Sequence, residues 1–158
     1  MHTDFQHHKL AFSQITGTYD QASAIQLEVF HWLLGFVNQT SFDSVLDIGS
    51  ATGRGTARLH ERFQAHHCRG IDVSAEMVTF ANKYYTQCEF ACLSVDALTC
   101  DDRADLVFSN ATLHWAPNLT KSFKVLGSFV EQGSTLAVSL FLPATFKELA
   151  QGLRDVVD

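Results

Sequence analysis

Proline is scarce in this chain, with two among 158 residues, and no stretch is biased toward glycine, serine or a single charge. With 46% hydrophobic and 18% charged residues, that composition argues for a packed domain and against a disordered or repetitive one. Basic residues are also few: 11 Lys and Arg against 17 Asp and Glu leave a formal charge of -6. Nucleic acids and anionic membranes ask for a basic face to meet their phosphates, so neither is expected as a partner. No apolar run approaches the roughly 20 residues of a membrane span. The polar start Met1-His2-Thr3-Asp4 lacks the apolar stretch of a signal peptide, and the expected location is the cytoplasm. The four cysteines, Cys68, Cys88, Cys92 and Cys100, have no C-x-x-C spacing and read mostly as small buried apolar residues. His7-His8 and His66-His67 lie in polar surroundings without a ligand cluster, so no metal site is expected.

What the chain does have is alternation. Residues 5–15 and 20–37 carry apolar side chains at helical spacing, with Ile25, Val29, Phe30, Leu33, Leu34 and Val37 on one face. Beyond them, short β-branched runs at 44–49, 68–73, 89–95, 104–109 and 134–142 alternate with helical stretches at 53–63, 74–85, 119–130 and 144–157. The exception is the step from 95 to 104. Such alternation predicts an α/β fold, a parallel sheet with helices on both faces, because right-handed crossovers lay each helix over the sheet. In these sheets ligands bind beyond the carboxyl ends of the strands. The chemistry is therefore expected at 47–53, Asp72, Asp96 and Asn110.

The loop Asp47-Ile48-Gly49-Ser50-Ala51-Thr52-Gly53 follows the first strand and opens a helix. Its spacing is not the G-x-G-x-x-G that brings backbone against a pyrophosphate; Gly49 and Gly53 instead open room for a ligand lying across the turn. Asp72 ends the second strand roughly 20 residues later, where a carboxylate can accept from both hydroxyls of a ribose. It can equally cap the helix that starts beside it. Asp96-Ala97, after the third strand, offers a carboxylate and an amide to an adenine, or a plain solvated turn.

The successive stretches Val45-Leu46-Asp47-Ile48-Gly49-Ser50-Ala51-Thr52-Gly53, Gly70-Ile71-Asp72-Val73-Ser74-Ala75-Glu76-Met77 and Asp96-Ala97 resemble the motifs of class I methyltransferases. The resemblance implies a Rossmann-like sheet of order 3-2-1-4-5 and S-adenosyl-L-methionine as cofactor. It assigns to the cofactor Asp47, Gly49, Ser50, Ala51, Gly53, Asp72, Val73, Met77, Asp96, Ala97 and Asn110. Ala51 departs from the family, which most often has glycine there. The whole of 1–158 then reads as one methyltransferase domain, with 1–40 as an N-terminal helical lid and 41–158 as the cofactor-binding core.

A narrower resemblance rests on Ala11-Phe12-Ser13, Tyr19-Asp20, Gln26, the run Ser109-Asn110-Ala111-Thr112-Leu113-His114-Trp115, and Thr145-Phe146-Lys147-Glu148-Leu149. Together these are similar to the malonyl-carrier-protein O-methyltransferases of biotin synthesis. That likeness implies methylation of the free carboxylate of a malonyl group held on acyl carrier protein or on coenzyme A. Tyr19 would act near the transferred methyl, and His114 and Trp115 would meet the acceptor. Lys121, Lys124, Lys147 and Arg154 are the candidate contacts for an acidic carrier. Another small carboxylic acid as acceptor, or a cofactor-binding module without turnover, remains open. The resembled fold continues past its fifth strand into two more strands and a substrate lid, whereas this sequence ends at Asp158. The edge beside 134–142 is then expected to lack a partner strand, and a homodimer could cover it.

Overall fold

The computed structural model describes residues 19–130, 133–142 and 145. Five parallel strands, β1 (Ser44–Ile48), β2 (His67–Asp72), β3 (Glu89–Cys92), β4 (Leu106–Ser109) and β5 (Thr135–Val138), pair in the order β3-β2-β1-β4-β5. Five α-helices accompany them among the described residues: α1 (Tyr19–Ala22), α2 (Ala24–Gly35), α3 (Arg54–Phe63), α4 (Ala75–Tyr84) and α5 (Leu119–Val130). This is the Rossmann-like order that the motifs implied. β1 sits at the centre, with Val45 beside Cys68 on one side and Leu106 on the other.

Successive side chains of a strand point to opposite faces, so each strand here serves two cores. Val45, Cys68, Leu106 and Phe108 pack with Phe30, Leu59, Phe63, Val78 and Ala81 from α2, α3 and α4. Leu46, Ile48, Ile71 and Val107 pack on the other face with Val95, Leu98, Leu126 and Phe129. The short helices start where the sequence offers caps: the Ser74 hydroxyl accepts the Met77 amide at 3.3 Å and opens α4, a bond worth about 1 kcal/mol. All five strands run the same way, so Ile48, Asp72 and Ser109 bring their carboxyl ends to one end of the sheet. Strand order reverses there between β1 and β4, which leaves a crevice.

Several boundaries differ from expectation for identifiable reasons. The helix expected over 20–37 breaks at Ser23, which is buried and donates its hydroxyl to the Asp20 carbonyl at 3.4 Å. Within α2, Phe30 is buried, but Ile25 is 54% exposed. β3 stops at Cys92, since the Ser94 hydroxyl accepts the Asp96 amide and starts a 3-10 turn, Val95–Ala97. Only Cys68 and Cys88 are buried; Cys92 and Cys100 are exposed, Cys92 because β3 is an edge strand. The helices expected over 5–15 and 144–157 lie outside the described residues, apart from Thr145. Among the described residues, β5 pairs with β4 alone.

Candidate functional site

The loop after β1 is built from three left-handed residues, Gly49 (φ +78°), Ala51 (φ +47°) and Gly53 (φ +85°). The Gly49 and Ser50 amides donate to the Ile71 carbonyl at 2.8 and 3.0 Å, which ties the loop to β2. A side chain at Gly49 would strike Thr112, so glycine is required by close approach there. A Cβ at Gly53 would lie 2.8 Å from both Ala81 and Phe90. Gly53 is therefore fixed by the core beneath the loop, and not by ligand space above it as expected. Ala51 accepts the left-handed conformation at a cost of about 1–2 kcal/mol, which explains why glycine is the family's usual residue at that position.

Asp72 holds the loop from the next strand. One carboxylate oxygen accepts the Ala51 amide at 3.0 Å and the other accepts the Ser74 amide at 2.9 Å. The N-cap of α4 is thus Ser74 and not Asp72, whose carboxylate instead braces the loop and the residue that caps the helix. Two recesses of about 70 Å³ meet at Gly49. One is an apolar slot walled by Ile71, Val73, Leu93, Val95 and Leu113, with Asp72 at its edge. The other is a polar cleft in front of the loop, reached by Tyr19, Asp20, Gln26, Asp47, Arg54 and Asn110.

Carboxylates dominate the electrostatics of that cleft. Asp47 is 5% exposed and accepts the Thr56 hydroxyl at 2.6 Å. Burial pushes its carboxyl up to about 7 against the relief that Thr56 gives, and Asp72 adds to the rise. Tyr19 is pushed up to about 12 by burial first and then by Asp72 and Asp20. Its hydroxyl therefore stays protonated near neutral pH and can donate a hydrogen bond, but it cannot serve as a base. Two acids, Asp20 and Asp47, line this half-buried cleft, and Asp72 lies near enough to raise Asp47 and Tyr19, an arrangement that favours a cationic guest. The guanidinium of Arg54, 3.9 Å from Asp20, supplies a place for a carboxylate on the same guest.

The sequence candidates divide accordingly. Asp47, Gly49, Ser50, Ala51, Tyr19 and Asn110 line the polar cleft, and Asp72, Val73 and Trp115 line the slot. Asn110 is a tie as well as a wall: its amide donates to the Gln26 carbonyl at 2.8 Å and accepts the Ser139 hydroxyl at 2.9 Å. Met77 is 1% exposed and packs below the site. Asp96 and Ala97 are not among the residues lining the slot. The Asp96 carboxylate accepts the Ser122 hydroxyl at 2.8 Å and lies 3.7 Å from the Lys121 ammonium, while the Ala97 amide donates to Ser94 at 3.0 Å. His114 lines neither recess. Its ring lies 4.8 Å from Trp115 and 5.4 Å from Phe141, and burial holds its imidazole below the usual range, in the neutral form.

Asp20 and Arg54 were given no site role from the sequence, and Thr52 was included only within the 47–53 loop, yet Asp20, Thr52 and Arg54 close the cleft. The Thr52 hydroxyl donates to Asp20 at 2.8 Å and fastens α1 to the loop. The pair Tyr19-Asp20 was visible beside the motif, but only the fold brings Asp20 to a residue 32 positions away.

A family model described as a methyltransferase domain matches residues 45–133. The chain belongs to this methyltransferase family. Among curated relatives, the malonyl-[acyl-carrier protein] O-methyltransferase of Nitrosospira multiformis is 30% identical over 94% of this chain and 55% of its own length. The trans-aconitate 2-methyltransferase of Escherichia coli O157:H7 is 33% identical over 68% of this chain and 43% of its own. This methyltransferase chain thus spans about half the length of the curated relatives it matches. In three dimensions it superposes on a solved DhpI-SAM-HEP complex with a TM-score of 0.68, at 19% identity, covering 95% of this chain and 72% of that one. At that identity the likeness speaks for the fold.

Proposed function

We propose that this chain binds S-adenosyl-L-methionine and directs its methyl group to the free carboxylate of a malonyl thioester carried by acyl carrier protein, in the making of a biotin precursor. The observation that carries the cofactor reading is the meeting of an apolar slot and an acid-lined cleft across Gly49, with Asp72 between them. The cofactor has an apolar-faced base, a ribose diol and a cationic end in that sequence. Val73 and Leu113 would flank the adenine and Asp72 would accept from the ribose. Asp20 and Asp47 would face the sulfonium and ammonium charges, and Arg54 the carboxylate. Asp96 and Ala97 reach the adenine in this reading only by leaving their present partners. As a cytoplasmic enzyme the chain would draw on the soluble cofactor pool.

When bound, the cofactor supplies an electrophilic methyl group whose bond to sulfur breaks as an acceptor oxygen bonds to carbon. A carboxylate is ionised near neutral pH, so no side chain has to remove a proton from it. What the protein contributes is alignment and exclusion of water. The protonated Tyr19 hydroxyl would donate to the acceptor, while Trp115 would bound its position with His114 packed behind it at 4.8 Å. A neutral His114 suits this role. An imidazolium would hold the anionic acceptor more tightly before reaction than in the transition state, where its charge is fading.

The substrate part of the reading draws support from the relatives named for malonyl-[acyl-carrier protein], which match almost the whole chain. A small free tricarboxylic acid is the second reading, favoured by the 33% identity to the trans-aconitate enzyme. Incubation with cofactor and either malonyl-carrier protein, malonyl-coenzyme A or trans-aconitate, followed by mass spectrometry for a methyl ester, separates them. An ester on trans-aconitate alone would replace the first reading with the second. Normal cofactor binding with no ester on any acceptor would leave a binding module.

A further inference from the structure

Helix α5 presents an apolar ridge to solvent beside the proposed site. Leu119, Phe123 and Val130 are 38%, 37% and 44% exposed, and at about 100° per residue they fall within about 40° of one another on the helix. Ser122, Leu126 and Phe129 are the residues of α5 buried against the sheet, so the ridge is surplus to the core. Lys124 is exposed and follows Phe123 about 100° round the helix, at the border of the ridge. Lys121 lies on the far flank and reaches Asp96 instead. Trp115, itself 38% exposed, precedes the helix and lines the slot together with Ala116 and Pro117. The ridge therefore begins at the rim of the site.

Both charged residues of α5 are lysines, although Asp96 on the neighbouring turn meets Lys121. The chain carries -6 overall, yet no aspartate or glutamate stands between Asp105 and Glu131, a stretch that includes both Lys121 and Lys124. An apolar strip with a cationic border fits a partner that offers a few apolar side chains within an acidic surface. A second copy docking through the same ridge fits less well, since it would set one lysine border beside another and offer no acidic complement.

We infer that the α5 ridge of Leu119, Phe123 and Val130, bordered by Lys124, is the docking face for an acidic carrier protein whose acceptor passes the slot rim to reach the cleft at Tyr19. The inference rests on the proposal that the acceptor is carrier-borne. Apolar contacts at the ridge hold the partner, and Lys124 sets the approach and its sensitivity to salt.

The test uses the full chain, saturated with S-adenosylhomocysteine, and fluorescently labelled malonyl-carrier protein followed by anisotropy. The wild type should bind, more weakly as salt is raised, and both Lys124→Glu and Phe123→Ser should weaken binding about tenfold or more. Cofactor affinity and methylation of malonyl-coenzyme A should stay within about twofold of wild type, because neither residue touches the site. If Phe123→Ser lowers the melting temperature sharply, the charge reversal at the exposed Lys124 decides alone. The proposal is overturned if the wild type does not bind the carrier, if both variants bind it normally, or if methylation of carrier-bound and coenzyme A substrates falls equally. A dimer in sedimentation that the variants dissolve, without a change in carrier binding, would likewise assign the ridge to a second copy and overturn it. Carrier binding that is lost in the variants while no malonyl thioester is ever methylated would sustain the docking face and sink the acceptor reading instead.

Discussion

Replacing Asp47 by asparagine should make the fold more stable at pH 8 and change its response to pH. Asp47 is buried at the end of the central strand, and burial raises its carboxyl from 3.8 to about 7. The folded chain therefore holds a proton on this group between about pH 4 and pH 7, where the unfolded chain has released it. Stability falls as pH rises through that window, and the full penalty is present above about 7. A rise of about three units corresponds to about 4 kcal/mol, of which about 3 kcal/mol develops between pH 5 and pH 8. Asparagine is neutral throughout and keeps an oxygen for the Thr56 hydroxyl. In urea unfolding, the stability of Asp47→Asn relative to wild type should thus grow by about 3 kcal/mol from pH 5 to pH 8. The other titrating groups are common to both proteins and cancel in that comparison. A relative stability that is the same at both pH values would refute the argument and leave Asp47 ionised throughout. The same reasoning gives cofactor binding a proton balance. A cation placed beside Asp47 favours its charged form, so binding at pH 6 should release close to one proton from wild type and none from the variant, measured calorimetrically in two buffers of different ionisation enthalpy.

Asp72→Ala should weaken cofactor binding by about 1.5–3 kcal/mol, since charge-assisted hydrogen bonds are lost and the Ala51 amide loses its acceptor; titration calorimetry showing an unchanged Kd would remove Asp72 from the site. Ala51→Gly relieves about 1–2 kcal/mol of left-handed strain against about 0.4–1 kcal/mol of added freedom in the unfolded chain. Its Tm should rise, and a fall would mean that the Ala51 methyl packs more than its backbone suffers. Tyr19→Phe keeps the ring and removes only the hydroxyl, so kcat should drop while cofactor affinity holds. Equal turnover would reduce Tyr19 to packing.

Much of the sheet was legible because a parallel strand buried on both faces has to be a short apolar run, and its crossover has to be a helix. The acids at the ends of β1 and β2 were legible for a related reason: an acid at a carboxyl end meets the crevice, Asp47 while still buried. Reading failed where a distant partner overruled local pattern. Nothing near Ser23 announces a break in a helical run. The break follows from Asp20 turning to Thr52 and Ser23 turning back to Asp20. Asp96 reads as a free carboxylate until α5 folds over and brings Ser122 to it. Gly53 looks the same as Gly49 in the sequence, but one is fixed by Thr112 above and the other by Phe90 below.

The tie at Asn110 also sets an order of events during synthesis. The loop around Gly49 leaves the ribosome early, but the wall beside it is fastened by Ser139, which binds the Asn110 side chain and the Ala111 amide. Ninety positions separate Gly49 from Ser139, roughly 5–18 seconds of translation at about 5–20 residues per second. Through that interval a nascent chain displays the glycine turn without the strand that braces its flank. A ligand stabilises only the state that binds it, so the cofactor cannot chaperone the early stages of this fold. If Asn110 walls the cofactor's cleft, capture would wait on Ser139, just past β5.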